Sequence, residues 1–401
     1  MKEKSKVFLF LLLLLFTIFS SILIISTAAR YNWDKSLSLL AGQFIKGHIS
    51  LEPTKDLPAG DISIYNGKFY MYFGPLASII LMPFVALLGK NFPQIIIGIG
   101  TLFVSFLAVY SISRSFKFSK PDSLWLSLFF VFSTVLFSTS VINITSYLVE
   151  ALGVPLILLS LAEYFRKKRP LLIGLFLGLA VLTRLTLILA VMFFVAEFIR
   201  KRLSKQQFLL LLLPFFLCLL FFGSYNYLRF HSFLETGYSY HIAQPFPLSK
   251  NFEYGEISLI HIPANLYSFL IMPPEPILYY SKGFVLRFPY LKANPWGMAI
   301  WFTSPLFLLL LYFKKNKYSL SSAIAAVSLA IPLFTYFSVG FAQFGYRYAL
   351  DFLPFLFLLL IPSLSPKLSK TAITLITIGV IFNCLYITSL WGMYPHFGID
   401  K

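Results

Sequence analysis

Charge is scarce in this chain, and negative charge is scarcest: 15 Asp and Glu stand against 33 Lys and Arg, and charged residues make up only 12% of the sequence. A soluble protein carries roughly a quarter charged residues. With 58% hydrophobic residues and a mean hydropathy of +0.80, the chain holds more apolar surface than a water-soluble fold can bury. Cysteine is nearly missing. Cys218 and Cys384 both sit in apolar runs, where they read as packing residues, and they offer neither a disulfide framework nor zinc spacing. The five histidines are scattered and form no H-x-x-x-H pair. The sequence has no Walker loop, no G-x-G-x-x-G after a strand, no Asp-x-Asp pair and no repeat of fixed period. No cofactor is therefore expected, and metal dependence stays open. A formal charge of +18 would suggest nucleic acid in a soluble protein. In a chain this apolar the positive-inside rule explains the excess, and no nucleic-acid partner is expected.

What remains is a polytopic membrane protein of the all-α class, read as a single membrane domain over 1–401. The first apolar run, Val7 to Ala29, is longer than a signal-peptide core and long enough to span. It is expected to stay as an anchor, although Ser26-Thr27-Ala28 mimics a cleavage site. Basic clusters then recur: the N-terminus, Arg114/Lys117/Lys120, Arg166–Arg169, Arg200–Arg202 with Lys205, Lys314/Lys315/Lys317, and Lys367/Lys370. Together they hold 19 of the 33 basic residues. If all six are cytoplasmic, consecutive clusters are joined by two crossings or by none.

That parity settles two ambiguous stretches. Pro75–Gly89 would make a helix of only about 22 Å against a hydrocarbon core of about 30 Å, so it is placed at the outer interface. Leu171–Ile199 lies between two basic clusters and is expected to go out and return, turning near Thr183-Arg184. The expectation is about eleven spans, N-terminus inside and C-terminus outside, in the plasma membrane. Two large outer segments remain: a first loop over 30–92 with interfacial helices, and a second over 224–296.

Most acidic residues then fall outside, among them Asp34, Asp56, Asp61, Glu150, Glu235, Asp351 and Asp400. Topology does not explain arginines near outer span ends, namely Arg184, Arg229 and Arg347. Arginine there needs a partner or an anion. Its planar fork suits phosphate, and an Arg–Asp pair tying two helices is the plainer alternative. In the first outer loop, Leu37, Leu40, Ala41 and Phe44 fall at helical spacing before Gly47, as in a short helix lying along the membrane. Asp34 stands at its start, either as a cap or as a carboxylate able to take a proton from a hydroxyl. Asn66-Gly67 between alternating apolar residues signals a hairpin. Tyr65, Tyr70 and Tyr72 beside it form an interfacial belt or the walls of a sugar site.

Asp34 after the first span, followed by Asp61-x-x-x-Tyr65-x-Gly67-Lys68-x-Tyr70-x-x-Phe73-Gly74-Pro75, resembles bacterial membrane glycosyltransferases of the GT-C superfamily, relatives of protein O-mannosyltransferases and aminoarabinose transferases. Gly178-Leu179-Ala180-Val181-Leu182-Thr183-Arg184 is similar to a turn of that class. So are Tyr225-Asn226-x-x-Arg229-Phe230 with Glu235-Thr236-Gly237-Tyr238, and Phe344–Tyr348 with Asp351–Pro354. The resemblance runs from about Val7 to about Leu364. It implies a polyprenyl-phosphate-linked sugar as donor, an acceptor hydroxyl not yet identified, and an acidic first-loop residue as base, matched best by Asp34 and next by Asp61. Lys68, Arg184, Arg229 and Arg347 would then meet the phosphate, with Tyr70, Glu150 and Asp351 completing the substrate site. The short C-terminal part and compact first loop depart from the family pattern and leave the acceptor open. An O-antigen ligase or polymerase, a lipid or polysaccharide transporter, and a lipid-binding relative without activity are the alternatives. An acidic first loop speaks against the ligase, and the lack of pseudo-symmetric halves against the transporter.

Overall fold

A computed structural model describes residues 3–30, 34–53, 61–201, 204–241, 248–278, 283–364 and 366–391. Residues 31–33, 392–401, Asp56 and Asp400 lie outside that set. The chain is mostly helical. α1 (Glu3–Arg30) is the first apolar run. It is followed by α2 (Ser36–Ile45), a hairpin of β1 (Ile62–Tyr65) and β2 (Lys68–Met71), and α3 (Leu76–Leu88). Then come α4 (Ile96–Ser115), α5 (Lys120–Phe132), α6 (Val135–Val141), α7 (Thr145–Phe165), α8 (Pro170–Val181), α9 (Val191–Lys201) and α10 (Lys205–Phe230). The remainder comprises α11 (Leu248–Phe252), α12 (Ile262–Leu270), a hairpin of β3 (Glu275–Leu278) and β4 (Leu286–Lys292), α13 (Ile300–Thr303), α14 (Ser319–Phe334), α15 (Leu353–Leu364) and α16 (Lys370–Trp391).

Among the described residues five helices are long and apolar enough to cross a membrane, and a sixth crossing follows if α5 and α6, bent by 57° at Ser133-Thr134, count as one. Three of the other expected crossings fall on shorter apolar helices, α8, α14 and α15. The stretch 297–313 breaks at Ser304-Pro305 into α13 and a tight 3-10 run, Pro305–Tyr312, because proline cannot continue the preceding ladder. α10 runs seven residues past the expected end at Gly223, so Tyr225, Asn226 and Arg229 sit on helix and not in a loop. The second hairpin, 275–292, carries no turn signal as clear as Asn66-Gly67.

α7 is the ruler of the bundle. Glu150 on its second turn and Tyr164 near its last are about 21 Å apart along the axis. Arg184 lies near Glu150, and Glu197 of α9 accepts a hydrogen bond from the Tyr164 hydroxyl. The segment 170–201 therefore climbs from one end of α7 to the other and returns, with its turn at Leu182–Arg184.

The first loop packs as a small second core. Leu37, Leu40 and Ala41 of α2 meet Ala77, Leu81 and Val85 of α3, together with Ile62, Met71 and Leu148. The α2 helix ends at a glycine with φ +79°, where the Gly47 and His48 amides close on Phe44 and Gln43 carbonyls. Asn66 (φ 51°) and Gly67 (φ 73°) form the left-handed two-residue turn that joins Tyr65 to Lys68. Gly74 explains a second glycine of the motif. Its amide and that of Leu76 bond to the Thr183 and Leu182 carbonyls (3.2 Å each), and a Cβ at Gly74 would fall 2.0 Å from the Leu182 oxygen. Two motifs more than a hundred residues apart are thus one backbone joint. Gly74→Ala is expected to lower stability by about 1–3 kcal/mol. An unchanged unfolding midpoint in detergent would refute that close approach.

Candidate functional site

The N-terminus of α7 gathers the two first-loop carboxylates. The helix starts at Thr145 without a side-chain cap of its own at Ile144, so its first amides need outside acceptors. Asp34 supplies one: its Oδ2 accepts from the Thr145 amide (2.5 Å), and its Oδ1 accepts from the Thr145 hydroxyl (2.9 Å) and the Ser36 amide (3.0 Å). The Asn143 side-chain amide also donates to the Asp34 carbonyl (3.2 Å). Asp34 is 5% exposed and serves the starts of α2 and α7 together. The cap reading of this residue is thus extended to a second helix.

Asp61 supplies the next acceptor. Its Oδ2 accepts from the Ser146 amide (3.2 Å) and its Oδ1 from the Tyr72 hydroxyl (3.0 Å). Unlike Asp34 it is only half-buried at the surface. Burial and the nearby Asp34 charge raise its pKa to about 6, against the Tyr72 and Ser146 hydrogen bonds and the Arg347 charge, which lower it. A carboxyl that titrates near neutrality, held at a helix N-terminus, is suited to receive a proton.

Arg347 and Arg184 complete the cluster. Arg347 Nε donates to Glu150 Oε2 (2.9 Å) on the second turn of α7, and its guanidinium lies 4.5 Å from the Tyr147 ring centre. Arg184 Nη1 donates to Asp351 Oδ1 (2.8 Å), whose other oxygen accepts from the Thr186 hydroxyl (2.6 Å). Both arginines therefore have a carboxylate, as the helix-tying alternative expects. Neither is used up by it. Among the described residues Arg184 makes that single hydrogen bond out of five N–H donors, and the Nη groups of Arg347 make long contacts with the Phe341 carbonyl and the Tyr348 hydroxyl, 3.4 Å each. Tyr348 lies between the two guanidinium groups, 5.8 Å from Arg184 and 5.0 Å from Arg347. Tyr72 and Tyr238 pack with ring centres 4.4 Å apart above Asp61, and Tyr238 feels the Arg184 charge.

Three of the sequence-selected residues stand apart. Arg229 is 1% exposed. It donates to the Met71 carbonyl and to Asn226 Oδ1 (2.6 Å), and lies 4.0 Å from the Tyr225 ring centre. It locks the end of α10 onto β2 and presents no face to a ligand. Tyr70 is buried against Phe230 at 5.3 Å between ring centres. Lys68 is exposed at the hairpin turn, and among the described residues no hydrogen bond or ion pair joins it to Asp61, Arg184 or Arg347. Thr145, Ser146 and Tyr147 are not among the residues the sequence singles out, whereas Tyr72, a belt or sugar-wall tyrosine by sequence, donates to Asp61. Asn143-Ile144-Thr145-Ser146 ahead of an apolar run is a helix-start signal, and it is the sequence feature that would point to unpaired amides there.

No family model matches this chain, and no curated protein matches it. Among solved structures, the crystal structure of ArnT from Cupriavidus metallidurans bound to undecaprenyl phosphate is similar, with 13% sequence identity and a TM-score of 0.48 over 94% of this chain. The chain spans 63% of that protein's length. Asp34, Asp61, Glu150 and Arg184 come from four separate segments and Arg347 and Asp351 from a fifth, the 3-10 turn Arg347–Asp351, and together they form one connected charged cluster. Its parts are joined through the start of α7, the Glu150–Arg347 and Arg184–Asp351 pairs, and the Asp61–Arg347 interaction. Among the described residues, no group of three His, Cys, Asp or Glu has metal-binding geometry.

Proposed function

We propose that this protein is a membrane glycosyltransferase that moves a sugar from a polyprenyl-phosphate donor to an acceptor hydroxyl at the outer face of the cytoplasmic membrane. The observation that carries the reading is that Asp61, a carboxyl poised near pH 6, feels the charge of Arg347, which shares the Tyr348 ring with Arg184, and that Arg184 keeps spare N–H donors. Asp61 takes the proton of the acceptor hydroxyl. The acceptor oxygen attacks the anomeric carbon, the bond from that carbon to the phosphate oxygen breaks, and its electrons leave with the polyprenyl phosphate. Inversion follows from a single displacement. Negative charge grows on the departing phosphate, where Arg184 and Arg347 stabilise it more than water would.

This assignment exchanges the two first-loop acids. Three hydrogen bonds already fill most acceptor positions of Asp34, so it fixes the start of α7, while Asp61 retains the exposure a base needs. The break between α5 and α6 is the feature that would favour a transporter. It is packed tightly against α16, where a Cβ on Gly379 would fall 1.8 Å from the Ser133 hydroxyl and 2.9 Å from the Pro305 ring, and Ser133-Thr134 carries no charge.

The test is transfer in proteoliposomes that contain a radiolabelled polyprenyl-phosphate sugar and membrane extract as acceptor. Release of polyprenyl phosphate together with label in a new product is expected. Protein that binds the donor lipid and never releases it from its sugar would overturn the proposal in favour of a lipid-binding relative.

A further inference from the structure

The second hairpin is a two-stranded sheet that leaves large apolar side chains uncovered. Phe284 is 84% exposed and Phe288 78%, with Val285, Leu286 and Tyr290 about half exposed beside them. An isolated two-stranded hairpin is marginal in water, and so compact an exposed apolar patch needs a cover. What lies next to it identifies that cover. β4 packs against α16, a helix long and apolar enough to span, whose Ile378, Ile381 and Leu385 are themselves exposed. Asn383 of α16 holds the Thr303 carbonyl (2.7 Å), so the chain that precedes Thr303 meets α16 at the end remote from the basic Lys367–Lys370 turn. The hairpin is therefore continuous with the lipid-facing surface of a spanning helix. Its charged ends are tied off by the Lys292–Glu275 pair (3.0 Å), away from the apolar tip.

We infer that the 275–292 hairpin inserts its Phe284–Tyr290 edge into the acyl region of the adjoining lipid leaflet, as a second membrane anchor outside the helical bundle. Its position bears on the charged cluster. β4 leads through Ala293 to Trp296, whose carbonyl accepts from Gln343 Nε2 (2.9 Å) and whose ring packs 4.6 Å from Phe341. Phe341 in turn accepts from the Tyr147 hydroxyl (2.8 Å), four residues after Gln343 comes Arg347, and Gln343 Oε1 takes the Arg347 amide (3.3 Å). An anchor in the leaflet thus fixes the depth of the loop that carries Arg347. The apolar edge follows the interfacial pattern of aromatic and basic residues, with Arg287 between Phe284 and Phe288.

The experiment uses the full chain with Cys218→Ala and Cys384→Ala, carrying Phe284→Cys labelled with the environment-sensitive dye NBD, in liposomes of phosphatidylethanolamine and phosphatidylglycerol. Lipid bearing a nitroxide at acyl carbon 5 is expected to quench the dye at least twofold, and aqueous iodide to leave it nearly unchanged. Phe288→Cys labelled in the same way should agree, and it serves as the second position if the first variant does not fold. Quenching by iodide but not by the lipid nitroxide would overturn the inference. So would a dye shielded from both, since that would place a protein surface over the hairpin. The measurement reads no sugar transfer, so its failure and that of the transferase reading are distinct.

Discussion

Replacing Asp61 with Asn is expected to lower sugar transfer by about 10²–10⁴-fold while donor binding stays close to that of the wild type. The substitution keeps the side-chain oxygen that can accept from Tyr72 or Ser146, so α7 still starts where it does. What it removes is the group that receives the acceptor's proton. The wild-type pH profile carries the same signature. Asp61 is active when ionised, and burial beside Asp34 raises its pKa to about 6. Transfer should therefore fall as pH drops through about 6 and reach a plateau above about 7, and Asp61→Asn should flatten that limb. The raised pKa also means that ionised Asp61 costs folding stability. That contribution favours the fold below the ordinary carboxylate range and is lost as pH rises through about 6. Stability and activity should thus run in opposite directions across that window. Full transfer by Asp61→Asn membranes would end its role as base. A loss in Asp34→Asn with the acid limb retained would agree with Asp34 as the residue that positions α7.

The second large effect separates structure from chemistry at Arg347. Arg347→Met leaves Glu150 buried, 3% exposed, without its 2.9 Å partner. Stranding a buried carboxylate costs about 3–5 kcal/mol. Pairing Arg347→Met with Glu150→Gln removes the stranded charge and should restore most of that stability, as buried ion pairs replaced together are often neutral. If Arg347 only ties helices, the double variant should recover transfer as well. If its guanidinium stabilises the leaving phosphate, the double variant should fold and still transfer about 10²–10³-fold more slowly. Recovery of both stability and activity would remove Arg347 from the site.

The charged cluster also accounts for the arginines that disobey the positive-inside pattern, though not in one way. Arg184 and Arg347 have carboxylate partners and keep donors to spare. Arg229 has a carbonyl and an amide oxygen as partners and is closed in by aromatic rings. The three look alike in sequence because each sits near a span end beside tyrosines. Only the last turns of α10, which continue past Gly223 to Phe230, carry Arg229 under the hairpin and out of the site.

The sequence by itself determined that the chain is a helical membrane protein, since no other solvent accepts 58% apolar residues with so few charges. It also determined the α2 helix and the Asn66-Gly67 hairpin, because glycine at positive φ and apolar spacing are local properties of the backbone. It marked the turn at Thr183-Arg184 through charge parity. Tertiary structure alone decided which charges meet. Asp61 and Ser146, Glu150 and Arg347, and Arg184 and Asp351 are separated by 85 to 197 residues, so no spacing rule relates them. The meeting of the two first-loop acids depends on the start of α7, whose bare amides draw both carboxylates to one point. The pKa of Asp61 follows from the same cause, for it is set by burial and by a neighbour, Asp34, that only folding brings close.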